Sequence, residues 1–307
     1  MKAMANNYVV AVDLGGTKLA AALVDGKGQV SKQTILAVDT GSSLAPVNQI
    51  VEVARELISA NGRKKNTSRI GVAVPGLVRR DGTVWAPNLK GWRRMALAQR
   101  LKRALGLPVI VESDRNAAVL GEAWCGAARG KSDAIVLMLG TGIGAGILSD
   151  GNLVRGAHEL SGCAGWMVVA ETYGREAQNV GQLESLAAGP AIARAAGASN
   201  AQDVAEAARR GDRASIDIYL QAGRMLGYGV ANLVSLFDPE IVVIGGGLAQ
   251  ASDLFLDALR NAVKERAQPI AASRVRIVTS PLGPQANLLG VARLAGSIGR
   301  IGRRSTG

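Results

Sequence analysis

Tyr8-Val9-Val10-Ala11-Val12-Asp13-Leu14-Gly15-Gly16-Thr17-Lys18-Leu19-Ala20-Ala21-Ala22-Leu23-Val24 is an apolar run, a glycine turn and a second apolar run. Tyr8 to Asp13 reads as a buried strand and Leu19 to Val24 as its hairpin partner. The unit recurs in the second half. Ala134 to Leu139 is wholly apolar, Gly140-Thr141-Gly142-Ile143-Gly144 turns, and Ala145 to Leu148 returns. Two copies of a strand, a glycine turn carrying a threonine and a return strand predict two related lobes with a cleft between them.

Around these hairpins, strands and helices alternate. A third strand is expected at Gln33 to Val38. Val47, Ile50, Val51, Ala54, Leu57 and Ile58 keep a helical period that Asn61-Gly62 ends. Arg69 to Val74 reads as a strand stopped by Pro75-Gly76, and 77–94 as a long functional loop. A helix over 97–105, a short strand over 108–111 and a helix over about 115–124 complete the first half. In the second half a helical period runs from Ile216 to Val234 and breaks at Asp238-Pro239. Ile241 to Ile244 is a buried strand entering Gly245-Gly246-Gly247. A helix near 254–263, a strand over 275–278 and a helix over 288–298 follow. The alternation predicts an α/β class.

The composition excludes several functions. The formal charge is +12, with basic groups at Arg63-Lys64-Lys65, Arg79-Arg80, Arg93-Arg94 and in the tail from Arg300 to Arg304. These groups are scattered and form no recognition helix, and only 3% of residues are aromatic, too few for base-stacking platforms. No nucleic-acid partner is expected. Two cysteines, Cys125 and Cys163, and one histidine, His158, make neither a disulfide framework nor a Cys/His zinc site. No apolar window reaches the ~18 residues of a membrane span, so no membrane partner is expected and the cytoplasm is the default location.

Three glycine turns, at Gly15-Gly16-Thr17, Gly140 to Gly146 and Gly245 to Gly247, suit phosphate, which needs backbone N–H groups and no Cβ in the way. Neither of the first two fits a P-loop or a dinucleotide fingerprint. A nucleotide site assembled from several turns remains. Asp13, ending its strand at the first turn, either holds Mg²⁺ through water or caps the turn.

Val12 to Lys18 resembles the first phosphate loop of the ROK family (repressors, open reading frames and sugar kinases). Pro87-Asn88-Leu89-Lys90-Gly91-Trp92 resembles its sugar-side loop. Glu112-Ser113-Asp114-Arg115-Asn116-Ala117-Ala118 is similar to its catalytic segment, usually E-N-D-A-N-A-A. Leu139 to Gly144 resembles the second phosphate loop, and Ile244 to Gly247 the adenosine-side turn. The order is that of the family across nearly the whole chain. The resemblance implies the two-lobed actin-like ATPase and sugar-kinase (ribonuclease H-like) fold. It implies a smaller N-terminal lobe over 1–118, with a C-terminal helix at about 287–300 packed back on it, and a larger lobe over 119–286. It implies ATP with Mg²⁺, a small sugar substrate, and a homodimer or higher homo-oligomer.

The resemblance makes Asp114 the base that takes the sugar hydroxyl's proton. Locally, Ser113 or Asp114 reads equally as a helix N-cap. Asn88, Ser113, Asp114, Cys163, Trp166 and Glu184 are the expected sugar-side residues. Asp13, Gly15, Gly16, Thr17, Lys18, Gly140, Thr141, Gly142, Gly144, Gly246 and Gly247 are expected around the nucleotide. Thr17, Thr141 and the N–H groups of Gly15, Gly16, Gly142 and Gly144 are the candidate phosphate donors. Asn116 is expected to be structural.

The chain also departs from the family. The family's G-E-I-G-H segment reads Gly162-Cys163-Ala164-Gly165-Trp166, and its sugar-contacting Asn is Ser113. Each lost hydrogen bond is worth roughly 1–3 kcal/mol to a buried sugar hydroxyl, so glucose is not assured as the substrate. Trp166 either stacks on a sugar ring or fills core space left by the His. The family's zinc ligands fall on Trp166, Arg175, Ala177 and Gln182, so no zinc is expected and the 171–181 loop needs another means of support. A hexose kinase is the leading expectation, with an amino-sugar or N-acyl-hexosamine kinase as a variant. A DNA-binding regulator is disfavoured because only about a dozen residues precede Asp13. A non-catalytic binding protein of the same fold is the third reading.

Overall fold

The computed structural model describes residues 7–62 and 66–301. Arg63-Lys64-Lys65 and the tail beyond 301 lie outside the described residues. The chain divides into two compact units. Unit 1 takes in residues up to Arg129, Gly156–Leu160 and the chain from Pro284; unit 2 is Gly130–Arg155 and Ser161–Gly283. The first boundary falls beyond the expected 118, because one helix runs unbroken from Asp114 to Cys125 and stays with unit 1.

In unit 1, strands β1 (Asn7–Leu14), β2 (Lys18–Val24), β3 (Val30–Ala37), β4 (Asn66–Val74), the short pair β5 (Leu77–Val78) and β6 (Val84–Trp85), and β7 (Val109–Ser113) are joined by helices α1 (Ala45–Ala60), α2 (Leu97–Leu105) and α3 (Asp114–Cys125). Unit 2 contains β8 (Ala134–Leu139), β9 (Ile143–Ser149), β10 (Asn152–Leu153), β11 (Ile241–Gly245) and β12 (Arg276–Thr279). Its helices are α4 (Ala177–Val180), α5 (Gln182–Ala187), α6 (Gly189–Ala195), α7 (Ala201–Arg209), α8 (Arg213–Phe237), α9 (Ser252–Arg266) and α10 (Pro269–Arg274). Helix α11 (Gln285–Ile301) closes unit 1.

The two main sheets share one topology. The orders are β3-β2-β1-β4-β7 and β10-β9-β8-β11-β12. In each, the first three strands pair antiparallel and the last two extend the first strand in parallel. The repeated hairpin is therefore the start of a repeated five-stranded sheet. Each sheet has its own core. In unit 1 it includes Val10, Val12, Ile50, Ile70, Val72 and Leu101, and in unit 2 Ile135, Leu137, Leu226, Val230, Val242 and Ile244. Val10, Val12, Val242 and Ile244 are wholly inaccessible, as central strands covered on both faces require.

The segment 77–94 is more ordered than a loop. Leu77–Val78 pairs with Val84–Trp85, and Val84 bridges Met95. Trp92 is 1% exposed and its indole N–H donates to the Ser43 carbonyl at 2.8 Å. That anchor leaves Asn88 exposed on the turn. The long helix α8 begins where the Asp212 side chain accepts the Ser215 N–H at 2.9 Å and ends at Asp238, whose φ of 44° precedes Pro239.

Candidate active site

Register places the candidate functional side chains of unit 1. In the parallel strands Asp13 lies beside Ala73, Ala73 beside Glu112, and Val74 beside Ser113. Asp13 and Asp114 thus emerge at the same carboxyl edge of the sheet, where open α/β sheets hold their ligands. Asp114 is the first residue of α3, and its Oδ1 accepts the N–H of Arg115 at 2.8 Å. Asn287, from α11, donates through Nδ2 to both carboxylate oxygens of Asp13, at 3.1 and 3.2 Å.

Electrostatics mark this edge. Burial pushes the Asp13 carboxyl up to about 7; the nearby Asp114 charge adds to the rise and the Asn287 bond opposes it. Burial also raises Asp114, against the Arg115 N–H and guanidinium, which favour its charged form. Ser113 occupies the N-cap position but makes no capping bond, and its buried Oγ has no partner among the described residues. Ser113 therefore stands at the cap without capping, and Asp114 is already within the helix. Asn116 donates to Glu112 Oε1 at 3.0 Å, a structural bond.

The first turn corrects one expectation. The Gly15 N–H donates within the turn, to the Lys18 carbonyl at 2.8 Å, and is not a free donor. Gly16, Thr17 and Lys18 are exposed. In unit 2 the second turn closes the same way, with Gly140 N–H to Gly142 O at 3.0 Å. Gly144 sits in the β-ladder opposite Met138. Gly246 has φ +85° and a Cβ there would lie 2.7 Å from the Leu139 nitrogen, so the packing of β8 and β11 demands this glycine before any ligand does. Around Gly247 there is open space.

Gly140, Thr141 and Gly247 line one cavity of about 660 Å³ in unit 2, the size of a small-molecule site. Its other walls bring in Asn200, Gln202, Arg209 and Gln250, which sequence reasoning missed because polar residues at helix ends look like solvated surface. Arg209 is fixed by Asp253 through bonds of 2.7 and 2.9 Å and donates to the Gln250 carbonyl at 3.0 Å. Asn287 left a legible signal: it is a lone amide inside the apolar run Ala286-Asn287-Leu288-Leu289.

The residues of unit 2 expected on the sugar side form a second group. Glu184 Oε2 accepts the Ile143 N–H at 2.7 Å, and burial raises this carboxyl against that bond. A Cβ on Gly142 or Gly165 would lie 2.8 or 2.7 Å from the same oxygen, so both glycines make room for Glu184. Cys163 is partly buried, just before the turn Ala164–Trp166. Trp166 is 53% exposed; it does not fill a core space, which removes one of its two readings. His158 is exposed on the 156–160 segment.

The sequence model of the ROK family matches residues 9–298. The chain belongs to the ROK family. Relatives of this ROK protein include the glucokinase of Thermotoga maritima, 31% identical over 93% of the chain and 96% of that protein. The bifunctional enzyme NanE/NanK of Brucella melitensis biotype 1 is 38% identical over 94% of the chain, which spans only 54% of that longer protein. The crystal structure of a ROK family glucokinase from Streptomyces griseus in complex with glucose and AMPPNP aligns with TM-score 0.78 at 29% identity, over 94% of the chain and 99% of that structure. The ROK chain thus has the actin-like ATPase fold, and its repeated sheets are that fold's two halves.

Two metals can be tested against the residues. The zinc positions do not fit. Trp166 and Arg175 are exposed, Ala177 has no donor, and the Gln182 amide is fully engaged by main chain. Among the described residues no group of three His, Cys, Asp or Glu side chains is placed to hold a metal. A hydrated Mg²⁺ asks less of the protein, often one or two carboxylates. Asp13 fits that role: its carboxylate carries a cost of burial that a cation would offset, and the buried Asn287 Oδ1 beside it has no partner among the described residues. No described helix is long and apolar enough to cross a membrane.

Proposed function

We propose that this ROK protein is an ATP-dependent kinase of a hexose-type sugar, with Asp114 as the general base. The observation that supports the reading best is the pair Asp13 and Asp114 at one sheet edge, both desolvated and with Asn287 aligned on Asp13. Phosphoryl transfer needs positioning, charge neutralisation and a proton acceptor. The sugar oxygen forms the new bond to the γ-phosphorus as the bond from that phosphorus to the β-bridging oxygen breaks. The sugar hydroxyl's proton passes to Asp114 and then to solvent. Burial raises the Asp114 carboxyl, and a raised base takes that proton more readily.

Asp13 would hold Mg²⁺ through water, and the ion, when bound, neutralises phosphate charge. The unit 2 cavity walled by Gly140, Thr141 and Gly247 would take the nucleotide, with the Thr141 hydroxyl as a phosphate donor; Thr17, exposed on the first turn of unit 1, is a further candidate donor. Of the sugar-side candidates, Asn88 and Ser113 belong to unit 1, and Glu184, Trp166 and Cys163 to unit 2. The assembled form would be a homodimer or higher homo-oligomer working in the cytoplasm.

Measuring ADP release with Mg-ATP across neutral hexoses, amino sugars and N-acyl hexosamines tests the reading. Turnover is expected with at least one class. ATP binding without turnover on the whole panel would leave a binding protein instead. A second reading is an N-acyl hexosamine. Ser113 and Cys163 are smaller than the Asn and Glu of the family pattern, and Trp166 puts an exposed apolar ring where that pattern has a His, changes that would suit an acyl methyl group better than another hydroxyl. Trp166→Ala is expected to raise the KM of the preferred sugar about tenfold, the equivalent of a ring contact of roughly 1.4 kcal/mol, with kcat little changed.

A further inference from the structure

Gln182 opens α5 and is 1% exposed. A primary amide has two N–H donors and an oxygen with two acceptor sites. In Gln182 all four are used, and all on one short stretch of main chain. Oε1 accepts the N–H groups of Val169 at 2.6 Å and Ala170 at 2.9 Å. Nε2 donates to the carbonyls of Ala170 and Thr172, both at 2.8 Å. Residues 167–174 belong to no helix or strand, so this stretch has no ladder to satisfy its backbone. The side chain of Gln182 supplies the missing partners.

The residues around Gln182 grip the preceding turn as well. Leu183 N–H donates to the Met167 carbonyl at 3.3 Å. Gly181 adopts φ +94°, and a Cβ there would lie 2.7 Å from the Gly165 carbonyl carbon and from Trp166 Cα. Two residues beyond Gln182, Glu184 is bonded to Ile143. The 181–184 segment is thus a bracket: one arm holds the strap that begins at Trp166, the other holds the glycine turn of the β8–β9 hairpin.

We propose that Gln182 is a positioning residue whose saturated amide folds the 167–172 strap onto the start of α5 and so presents Trp166 and Glu184 to the sugar without a structural metal. The family pattern places a zinc ligand at this position. An amide oxygen already accepting two N–H groups has no lone pair for a metal, and a cross-link between strap and helix is what either device would provide. The part of the inference that concerns the sugar rests on the kinase reading; the part that concerns the strap does not.

The test compares the full wild-type chain with Gln182→Leu, and with the equally long Gln182→Met should the leucine variant fail to fold. In the wild type the amides of Val169 and Ala170 are expected to be protected from hydrogen exchange. In the variant the 167–172 peptides should exchange at least about tenfold faster while those of β8 and β11 are unchanged. The sugar KM should rise about tenfold or more, with kcat and the KM for ATP within about threefold. Elemental analysis of the wild type should find no stoichiometric zinc. Unprotected Val169 and Ala170 amides in the wild type, unchanged exchange in both variants, or one zinc per chain would each overturn the proposal. So would a uniform fall in kcat and both affinities, which marks a general structural role. If the wild type phosphorylates no sugar, the kinase reading fails while the exchange data still decide what Gln182 does to the strap.

Discussion

Asp114→Asn is expected to lower kcat for sugar phosphorylation about a thousandfold, or roughly 4 kcal/mol of barrier, in a chain that stays folded. Asn keeps the shape of the side chain and an oxygen that can accept the Arg115 N–H, but it cannot take a proton. The KM values for sugar and ATP should stay within a few-fold, because the loss falls on the transition state. Stability should move the other way. Burial raises Asp114, and raises Asp13 from 3.8 to about 7. A carboxyl with a raised folded pKa contributes stability that is complete below its unfolded value and is lost as the pH rises through the folded one. For Asp13 that window runs from about pH 4 to about pH 7. Removing the Asp114 charge, the second cause of the Asp13 shift, should flatten the fall of Tm across that window. At neutral pH the variant should melt at or above the wild type. Coupled ADP release and melts at several pH values check both halves. A variant keeping more than about a tenth of wild-type kcat would place the base elsewhere.

Much of this edge was legible in the sequence because its determinants are local. Apolar runs flanking Gly15-Gly16 and Gly140-Thr141-Gly142 specify hairpins, and alternation specifies the α/β class. The helices at 45–60 and 213–237 announced themselves by periodicity and by Asn61-Gly62 and Asp238-Pro239. What stayed hidden depends on partners far along the chain. Nothing near Asp13 predicts that Asn287 will align its carboxylate from a helix at the other end. The fate of individual N–H groups was likewise invisible: Gly15 reads as a phosphate donor until its bond to Lys18 is seen. Trp166 was ambiguous for the same reason, since exposure is a property of the packed chain. Short helices such as Gln182–Ala187 lack enough turns for a period to show.

Gly290→Val is expected to be the most damaging single change to unit 1. Helices α3 and α11 meet backbone to backbone. A Cβ on Gly290 would fall on the Ala117 carbonyl oxygen and 2.5 Å from its carbonyl carbon, and one on Gly121 would fall on the Ala286 carbonyl. A Cβ on Gly71 in β4 would lie 2.8 Å from the carbonyl carbon of Val291 in the same helix, so α11 cannot retreat without losing the sheet. The helical preference of Val over Gly offers only a few tenths of a kcal/mol. Overpacking against rigid backbone costs about 3 kcal/mol or more, so the clash wins and Tm should fall by about 6–12 °C. Gly296 is the control, because among the described residues none outside its own stretch of helix comes within 4 Å of its added Cβ. Gly296→Ala in the same helix should be neutral or stabilising by up to about 1 kcal/mol. Activity should suffer beyond the loss of folded protein. Asn287 lies three residues before Gly290, on the same helix face, and pushing α11 outward withdraws it from Asp13. Kinetics on the folded fraction should therefore show reduced kcat for Gly290→Val and wild-type kcat for Gly296→Ala. A Gly290→Val chain that melts with the wild type would mean that α3 and α11 do not touch in this way, and the alignment of Asp13 by Asn287 would lose its support.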